Sequence, residues 1–396
     1  MSRSFASRNE PDTSPEEEHI EEHARIAQQY GEEEVTNKRI HILGIGSIGK
    51  LVAHTLRGLP SPPPISLLLH RRGLIESWKA QGEAINVTTR GTTESRRGFD
   101  IELAVPPVVS HGQVVAHQDE ESDSEWIDNL VLTVKANSTF SALMSVKHRL
   151  RRESTILFLQ NGMGIVEEVK ERVFPDPESR PHFVLGITSH GVRAEGDWTV
   201  THAGYGTTVL GLVKRDDGDR SYPPTAKYLI RTFLRAPVLA AVASSPTELL
   251  QIQLEKLVVN SVINPMTALL DCRNGALKHN FDVTRAMRLL IAEACVVIRA
   301  LPELQGIPDI ASRFSAERLE TMVVAVADRT KENMSSMLVD VRAGRNPETP
   351  YINGYLVKRG EELGIQCVIQ YFVKALVEAK QNMILQEINQ GIPLVG

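Results

Sequence analysis

Arg39-Ile40-His41-Ile42-Leu43-Gly44-Ile45-Gly46-Ser47-Ile48-Gly49 is the stretch that decides how the first half of this chain folds. Its mostly apolar opening reads as a short buried strand, and the apolar spacing beyond Gly49 continues as a helix through Leu59. Between them lies glycine wherever a side chain would obstruct. Gly44 permits the tight turn, Gly46 lets backbone N–H groups approach a pyrophosphate at the helix N-terminus, and Gly49 lets the helix lie close on the strand. With a strand before and a helix after, the loop Gly44-Ile45-Gly46-Ser47-Ile48-Gly49 predicts dinucleotide binding rather than packing alone.

Working outward, Ile65–Leu69 is the second strand, and it ends in His70-Arg71-Arg72. An NAD site places an acidic residue about 20 residues past the glycines to hold the ribose hydroxyls. A guanidinium there pairs instead with a 2′-phosphate, so Arg71 and Arg72 predict NADP(H) as the cofactor. Strand-like stretches follow at Ala84–Thr89 and Ile101–Pro106, then the acidic run Asp119–Glu125, read as a surface loop. Leu130–Val134 is a strand ending in Lys135-Ala136-Asn137; a helix over Ser138–Arg152 leads to the strand Thr155–Leu159, ending in Gln160-Asn161-Gly162-Met163-Gly164. Ligands of open α/β sheets bind at the carboxyl ends of strands, which puts Lys135 and Asn161 where a cofactor or substrate would lie. Phe183–Thr188, Gly191–Ala194, Trp198–Ala203 and Thr207–Leu212 are expected to form the far edge of the sheet, with a helix over Pro223–Arg235.

From Pro246 the pattern turns almost wholly helical, over 246–270, 281–301, 310–328, 347–363 and 366–390. The expected organisation is an extension at 1–37, an α/β Rossmann-type dinucleotide-binding domain at 38–245, and an all-helical substrate and catalytic domain at 246–396. Within the first helix Leu254–Leu270 is apolar nearly all round, as in a buried helix, yet Lys256, Asn260 and Asn264 recur at every fourth residue. On a helix they form one stripe rising roughly 6 Å per step, prolonged by Thr267 and Asp271. A solvated edge would be better served by glutamate or arginine than by asparagine. An ammonium and two carboxamides in line make the wall of a polar pocket, and apolar surroundings push a lysine down toward usefulness as an acid. Pro265 predicts a kink or break beside Asn264. Glu348 heads a later helix, where its charge suits the macrodipole, and Ser335 and Ser336 read as loop caps.

The 396 residues, 42% hydrophobic and 23% charged, suffice for two sizeable cores. A net charge of −5 offers no basic footprint, which argues against a nucleic-acid partner. The three cysteines are far apart, fitting neither a disulfide framework nor a zinc site, and no metal is expected. No apolar run is long enough to span a membrane. Residues 1–37 are too acidic and polar to bury a core, with a short solvated helix expected over Pro15–Tyr30. The Ser/Arg-rich start has a mitochondrial flavour that the acidic residues spoil, so the cytoplasm is the expected compartment.

Together these segments resemble the ketopantoate reductase (2-dehydropantoate 2-reductase) family over about residues 38–390. The resemblance rests on the glycine loop, Val134-Lys135-Ala136, Gln160 to Gly164, Lys256 through Asn264-Pro265 with Asn274-Gly275, Ser335-Ser336-Met337-Leu338 with Asp340, and Glu348 followed by Tyr351-Ile352-Asn353-Gly354. It implies an active site between the two domains and NADPH-dependent reduction of ketopantoate to pantoate, a step toward pantothenate and coenzyme A. By position Lys256 resembles the family's catalytic lysine, which protonates the ketone oxygen, and Glu348 matches the acidic residue near substrate and cofactor. Asn260, Asn264 and Ser336 match substrate-binding positions; Arg71, Lys135 and Asn161 match cofactor contacts, with Asn161 also facing the substrate. The expected partner is a small-molecule 2-keto acid, with a homodimer as the assembly left open. Two other readings stand beside this one: reduction of a different 2-keto acid, and a binding or regulatory protein that keeps the scaffold without turnover.

Overall fold

Strand β1 (Ile40–Leu43) is followed along the chain by α1 (Ser47–Arg57), β2 (Ile65–Leu69), α2 (Arg72–Ala80), β3 (Ile85–Thr89), β4 (Thr92–Arg96) and β5 (Asp100–Leu103). Next come β6 (Val108–Ser110), β7 (Gln113–Ala116), β8 (Asn129–Leu132), α3 (Thr139–Val146), β9 (Thr155–Phe158), α4 (Ile165–Arg172) and β10 (His182–Thr188). The α/β part closes with β11 (Gly191–Ala194), β12 (Thr199–Gly204), β13 (Thr208–Leu212), α5 (Pro224–Leu234) and β14 (Ala241–Ala243). The computed structural model describes residues 35–105, 108–110, 113–116, 125–215 and 222–390. The helix expected over Pro15–Tyr30, and the acidic run as far as Ser124, lie outside them.

β1 sits inside an eight-stranded sheet of order β14-β13-β10-β9-β8-β1-β2-β5, parallel from β5 through β10, with β13 antiparallel to β10. Taken in chain order, the parallel strands lie third, second, first, fourth, fifth, sixth. That is the doubly wound arrangement, and its ligand crevice opens where the order reverses, between β1 and β8. Both faces are covered: Ile42, Leu67, Val131 and Leu157 enter one core while Leu43, Leu68, Leu130 and Ile156 enter the other. Alternate residues of a strand point to opposite faces, so a strand buried on both must be apolar throughout.

Two strands expected at the far edge lie elsewhere. β11 and β12 leave the main sheet and join β3 and β4 in a second one, of order β11-β12-β3-β4. What holds them there is distant in the chain: Trp198 packs edge-on against Trp78 with ring centroids 4.6 Å apart, and Lys50 of α1 donates to the Gly196 carbonyl at 2.9 Å.

The second half consists of α6 (Pro246–Leu270), α7 (Phe281–Ala300), α8 (Ile310–Arg313), α9 (Ala316–Arg329), α10 (Ser336–Arg342), α11 (Asn353–Glu362) and α12 (Val368–Gln390). Leu254, Val258 and Val262 of α6 meet Leu290, Ile298 and Leu356 in its core. The single helix expected over 310–328 is two, because the Ser315 side chain accepts from Arg318 N–H and starts α9 afresh. The one expected over 347–363 is a 3-10 turn at Thr349–Tyr351 followed by α11. Among the described residues no helix is long and apolar enough to cross a membrane.

Pro265 does not break α6, which runs unbroken for 25 residues from its Ser245 cap. An interior proline costs about 3 kcal/mol because it removes one N–H and crowds the carbonyl four residues earlier. Here that carbonyl belongs to Ser261, and the Asn353 side chain donates to it at 2.9 Å. The missing donor is replaced from another helix.

Candidate active site

The carboxyl ends of β8, β9 and β10 and one face of α6 bring the sequence-selected residues together. Lys256 Nζ donates to Asn161 Oδ1 at 2.8 Å, just past β9, and to the Thr188 carbonyl at 2.7 Å, at the end of β10. Burial pushes its ammonium down from the ordinary 10.5 to about 8, against the opposing pull of the Glu348 carboxylate. An ammonium has three protons, and these two acceptors engage two. The third is left for a ligand.

Asn260 and Asn264 rise from Lys256 along the same helix face; Asn264 is buried and Asn260 partly so. Neither carboxamide forms a hydrogen bond to another described residue, which leaves both available to a polar ligand. The stripe ends there. The Thr267 hydroxyl shares its one proton between the Ile263 and Asn264 carbonyls and lies 2.7 Å from Ser335 Oγ, whose own O–H can donate to it, while Asp271, in left-handed conformation at the end of α6, pairs with Arg342. Both are structural. Ser335 caps α10 by accepting from Leu338 N–H at 3.1 Å, and Ser336 is exposed on the first turn of that helix.

Glu348 is buried, and its carboxylate is turned away from its own 3-10 turn. Oε1 accepts from Ala136 N–H at 3.1 Å, and Oε2 lies 3.7 Å from Lys135 Nζ. Lys135 also donates to Asp340 Oδ2 at 2.8 Å. Burial alone would lower the Lys135 ammonium, but Glu348 and Asp340 outweigh it and hold it above the ordinary lysine value. Lys135 therefore ties the end of β8 to two carboxylates of the helical half. A buried carboxylate paired and hydrogen-bonded in this way escapes most of the cost of burial.

The glycine loop fits a dinucleotide. Gly44 has φ +106°, and a Cβ on it would meet Val134 N at 2.4 Å. A Cβ on Gly49 would strike the Gly44 carbonyl at 2.1 Å, so helix and strand approach as closely as they do only through glycine. At Gly46 a Cβ would meet nothing within 4 Å, so an anion has room beside the backbone. No side chain caps α1 and no acid lies in its first turn, so the N–H groups around Ser47 and Ile48 and the positive end of the dipole stay open to a phosphate. Ile45 and Ile48 pack against the sheet core beneath, and Arg71 is exposed in extended conformation where β2 gives way to α2.

Sequence reasoning missed the Thr188 carbonyl and the Ala136 amide. Backbone groups carry no signature in the residue type, and only the end of a strand at the crevice hints at either.

Residues 40–215 match the family model described as ketopantoate reductase PanE/ApbA, and residues 248–381 match the one described as ketopantoate reductase PanE/ApbA C terminal. A probable 2-dehydropantoate 2-reductase of Schizosaccharomyces pombe is 31% identical over 355 residues, covering 88% of this chain and 97% of the relative. A ketoisovalerate reductase of Beauveria bassiana is 26% identical over 373 residues, covering 83% of this chain and 79% of the relative. Among solved structures, a probable 2-dehydropantoate 2-reductase from Bacillus subtilis aligns with a TM-score of 0.61 at 28% identity, covering 86% of this chain and 99% of that one.

Proposed function

This chain belongs to the ketopantoate reductase family, and from that membership we propose that it reduces ketopantoate to pantoate with NADPH, using Lys256 as the proton donor. The observation that carries the reading is the Lys256 ammonium, lowered to about 8 and held by Asn161 and Thr188 with one proton free. A reduced nicotinamide, when bound, supplies a hydride to the ketone carbon. Lys256 stabilises the alkoxide charge that develops and delivers its third proton to that oxygen. Being charged at neutral pH yet only slightly above it in pKa, the amine gives up its proton readily and regains it from solvent. Asn260, Asn264 and Ser336 are the proposed substrate contacts. Glu348 keeps Lys256 protonated and, with Lys135, joins the cofactor side of the cleft to the substrate side. Ketopantoate-dependent oxidation of NADPH by the purified protein tests the proposal; tight NADPH binding without turnover would favour the non-catalytic reading.

A second substrate has support from the Beauveria bassiana relative, a ketoisovalerate reductase. Ketopantoate carries a hydroxyl that ketoisovalerate lacks, and a site built to bond it rejects the poorer ligand strongly because a polar group is left unpaired. A higher kcat/KM for ketoisovalerate would move the assignment to that substrate.

NADP(H) rather than NAD(H) is proposed from Arg71 and from the absence of an acid where β2 ends. Arg71→Ala should weaken NADPH binding about tenfold, the loss of one charge-assisted contact, and leave NADH nearly untouched. Equal losses for the two cofactors would reject the assignment.

The proposed assembly is a homodimer through α12. This helix turns Val373 and Val377 into the core, yet its outer face carries Val368, Phe372 and Leu376, at 60%, 57% and 40% exposure. A helix apolar on both sides is normally covered on both. Leu289 and Val296 of α7 extend the patch, since Glu293 between them accepts from the Ile369 and Gln370 amides. An antiparallel second copy would match this stripe with itself. Phe372→Glu should convert dimer to monomer in sedimentation with turnover retained; a wild-type chain that sediments as a monomer at micromolar concentration would refute the interface.

A further inference from the structure

Asn353 is fully buried, and its amide nitrogen donates twice, to the Ser261 carbonyl at 2.9 Å and to Gln370 Oε1 at 2.8 Å. Its orientation is not free. Gln370 donates through Nε2 to the Leu290 carbonyl at 2.9 Å, which turns Gln370 Oε1 toward Asn353 and requires a donor there. The Ser261 carbonyl, deprived by Pro265 of its partner within the helix, requires a donor too. Asn353 serves both at the expense of its own Oδ1, which is buried without a partner.

The location of this bond gives it a consequence for chemistry. Ser261 stands next to Asn260, five residues beyond Lys256 and three before Asn264 on α6. Asn353 stands five residues beyond Glu348, in the segment whose carboxylate acts on the Lys256 ammonium. Glu348 itself is anchored to the other half of the molecule through the Ala136 amide and Lys135. One side-chain hydrogen bond thus joins the helix that carries the lysine directly to the segment that carries the carboxylate, at the one turn where α6 lacks its own bond.

The geometry points to Asn353 as a positioning residue: by standing in for the missing Pro265 N–H it holds α6 straight across the polar stripe and sets Lys256 relative to Glu348. This rests on the reading of Lys256 as the proton donor. Without the bond the Ser261 carbonyl has no donor, the proline can bend the helix, and the lysine moves relative to the carboxylate that keeps it protonated.

The test is a double-substitution cycle in the full chain, with Asn353→Ala, Pro265→Ala and the two combined, assayed with ketopantoate and NADPH. Pro265→Ala returns the backbone N–H to the Ser261 carbonyl, so it should rescue Asn353→Ala. The lost bond from Asn353 to Gln370 is common to both backgrounds and cancels. Asn353→Ala alone should lower kcat/KM about tenfold, the scale of one buried hydrogen bond, and shift the alkaline limb of the pH profile to lower pH. The double variant should come within about threefold of Pro265→Ala, with its limb restored. A purely structural role would lower the melting temperature but leave the limb where it was. If Asn353→Ala alone does not fold, the double variant against Pro265→Ala still decides, because a tenfold gap between them overturns the inference. Strictly additive melting shifts in the cycle overturn it as well. Failure of the Lys256 reading looks different: the alkaline limb would be missing from every variant while non-additive melting between positions 353 and 265 persisted.

Discussion

Lys256→Ala is expected to lower turnover by at least about a hundredfold, the usual scale for loss of a general acid. The proton is needed only as the carbonyl oxygen becomes an alkoxide, so kcat and kcat/KM should fall together while KM changes little. A lysine that merely bound the substrate carboxylate would raise KM instead. The fold should survive, because alanine is the better helix former, and Asn161 and Thr188, whose oxygens it abandons, are only partly buried, so water can replace the lost donor. Stability supplies an independent check. The folded value of about 8 lies below the ordinary 10.5, so the unfolded chain binds more protons between those limits. Burial of the charge therefore opposes folding at neutral pH, and that penalty fades as pH rises from about 8 through 10.5. Lys256→Ala should remove this rise and leave the melting temperature at neutral pH no lower than that of the parent. Steady-state kinetics and melting curves across that range decide the matter, and near-normal turnover in a folded variant would end the proposed mechanism.

Glu348→Gln should shift the alkaline limb of kcat/KM to lower pH. In the parent this limb is expected at about 8, the value to which burial lowers the Lys256 ammonium against the partial offset of the Glu348 carboxylate. A neutral amide keeps an oxygen for the Ala136 N–H but withdraws that offset, so burial acts alone. Each unit by which the limb moves costs about tenfold in the protonated fraction on its alkaline side, so the loss should be about tenfold or more there and much smaller in acid. Lys135 loses one of its two carboxylates but keeps Asp340, so the fold should persist. A uniform loss across pH would show that Glu348 acts through shape alone, and an unchanged profile would remove it from the mechanism.

Sequence alone determined the parts of this protein whose causes are local. The glycine loop could be read because φ +106° at Gly44 and the bare approach of Gly49 to the Gly44 carbonyl exclude side chains whatever else the chain does. The Lys256, Asn260 and Asn264 stripe could be read because helical periodicity puts fourth neighbours on one face. Tertiary structure decided the rest. The period-2 pattern of β11 and β12 says that they are strands but not which strands they meet, and the Trp78 and Trp198 contact that places them joins residues remote in sequence. Thr267 and Asp271 shared the periodicity of the stripe yet are taken up by Ser335 and Arg342, from a helix that the local pattern did not reveal. At Pro265 local chemistry predicted a break, and the donor that prevents it is a side chain 92 residues from the carbonyl it serves. A proline removes a bond by its own covalent structure, which the sequence states, but whether another group restores that bond depends on what the folded chain brings beside it.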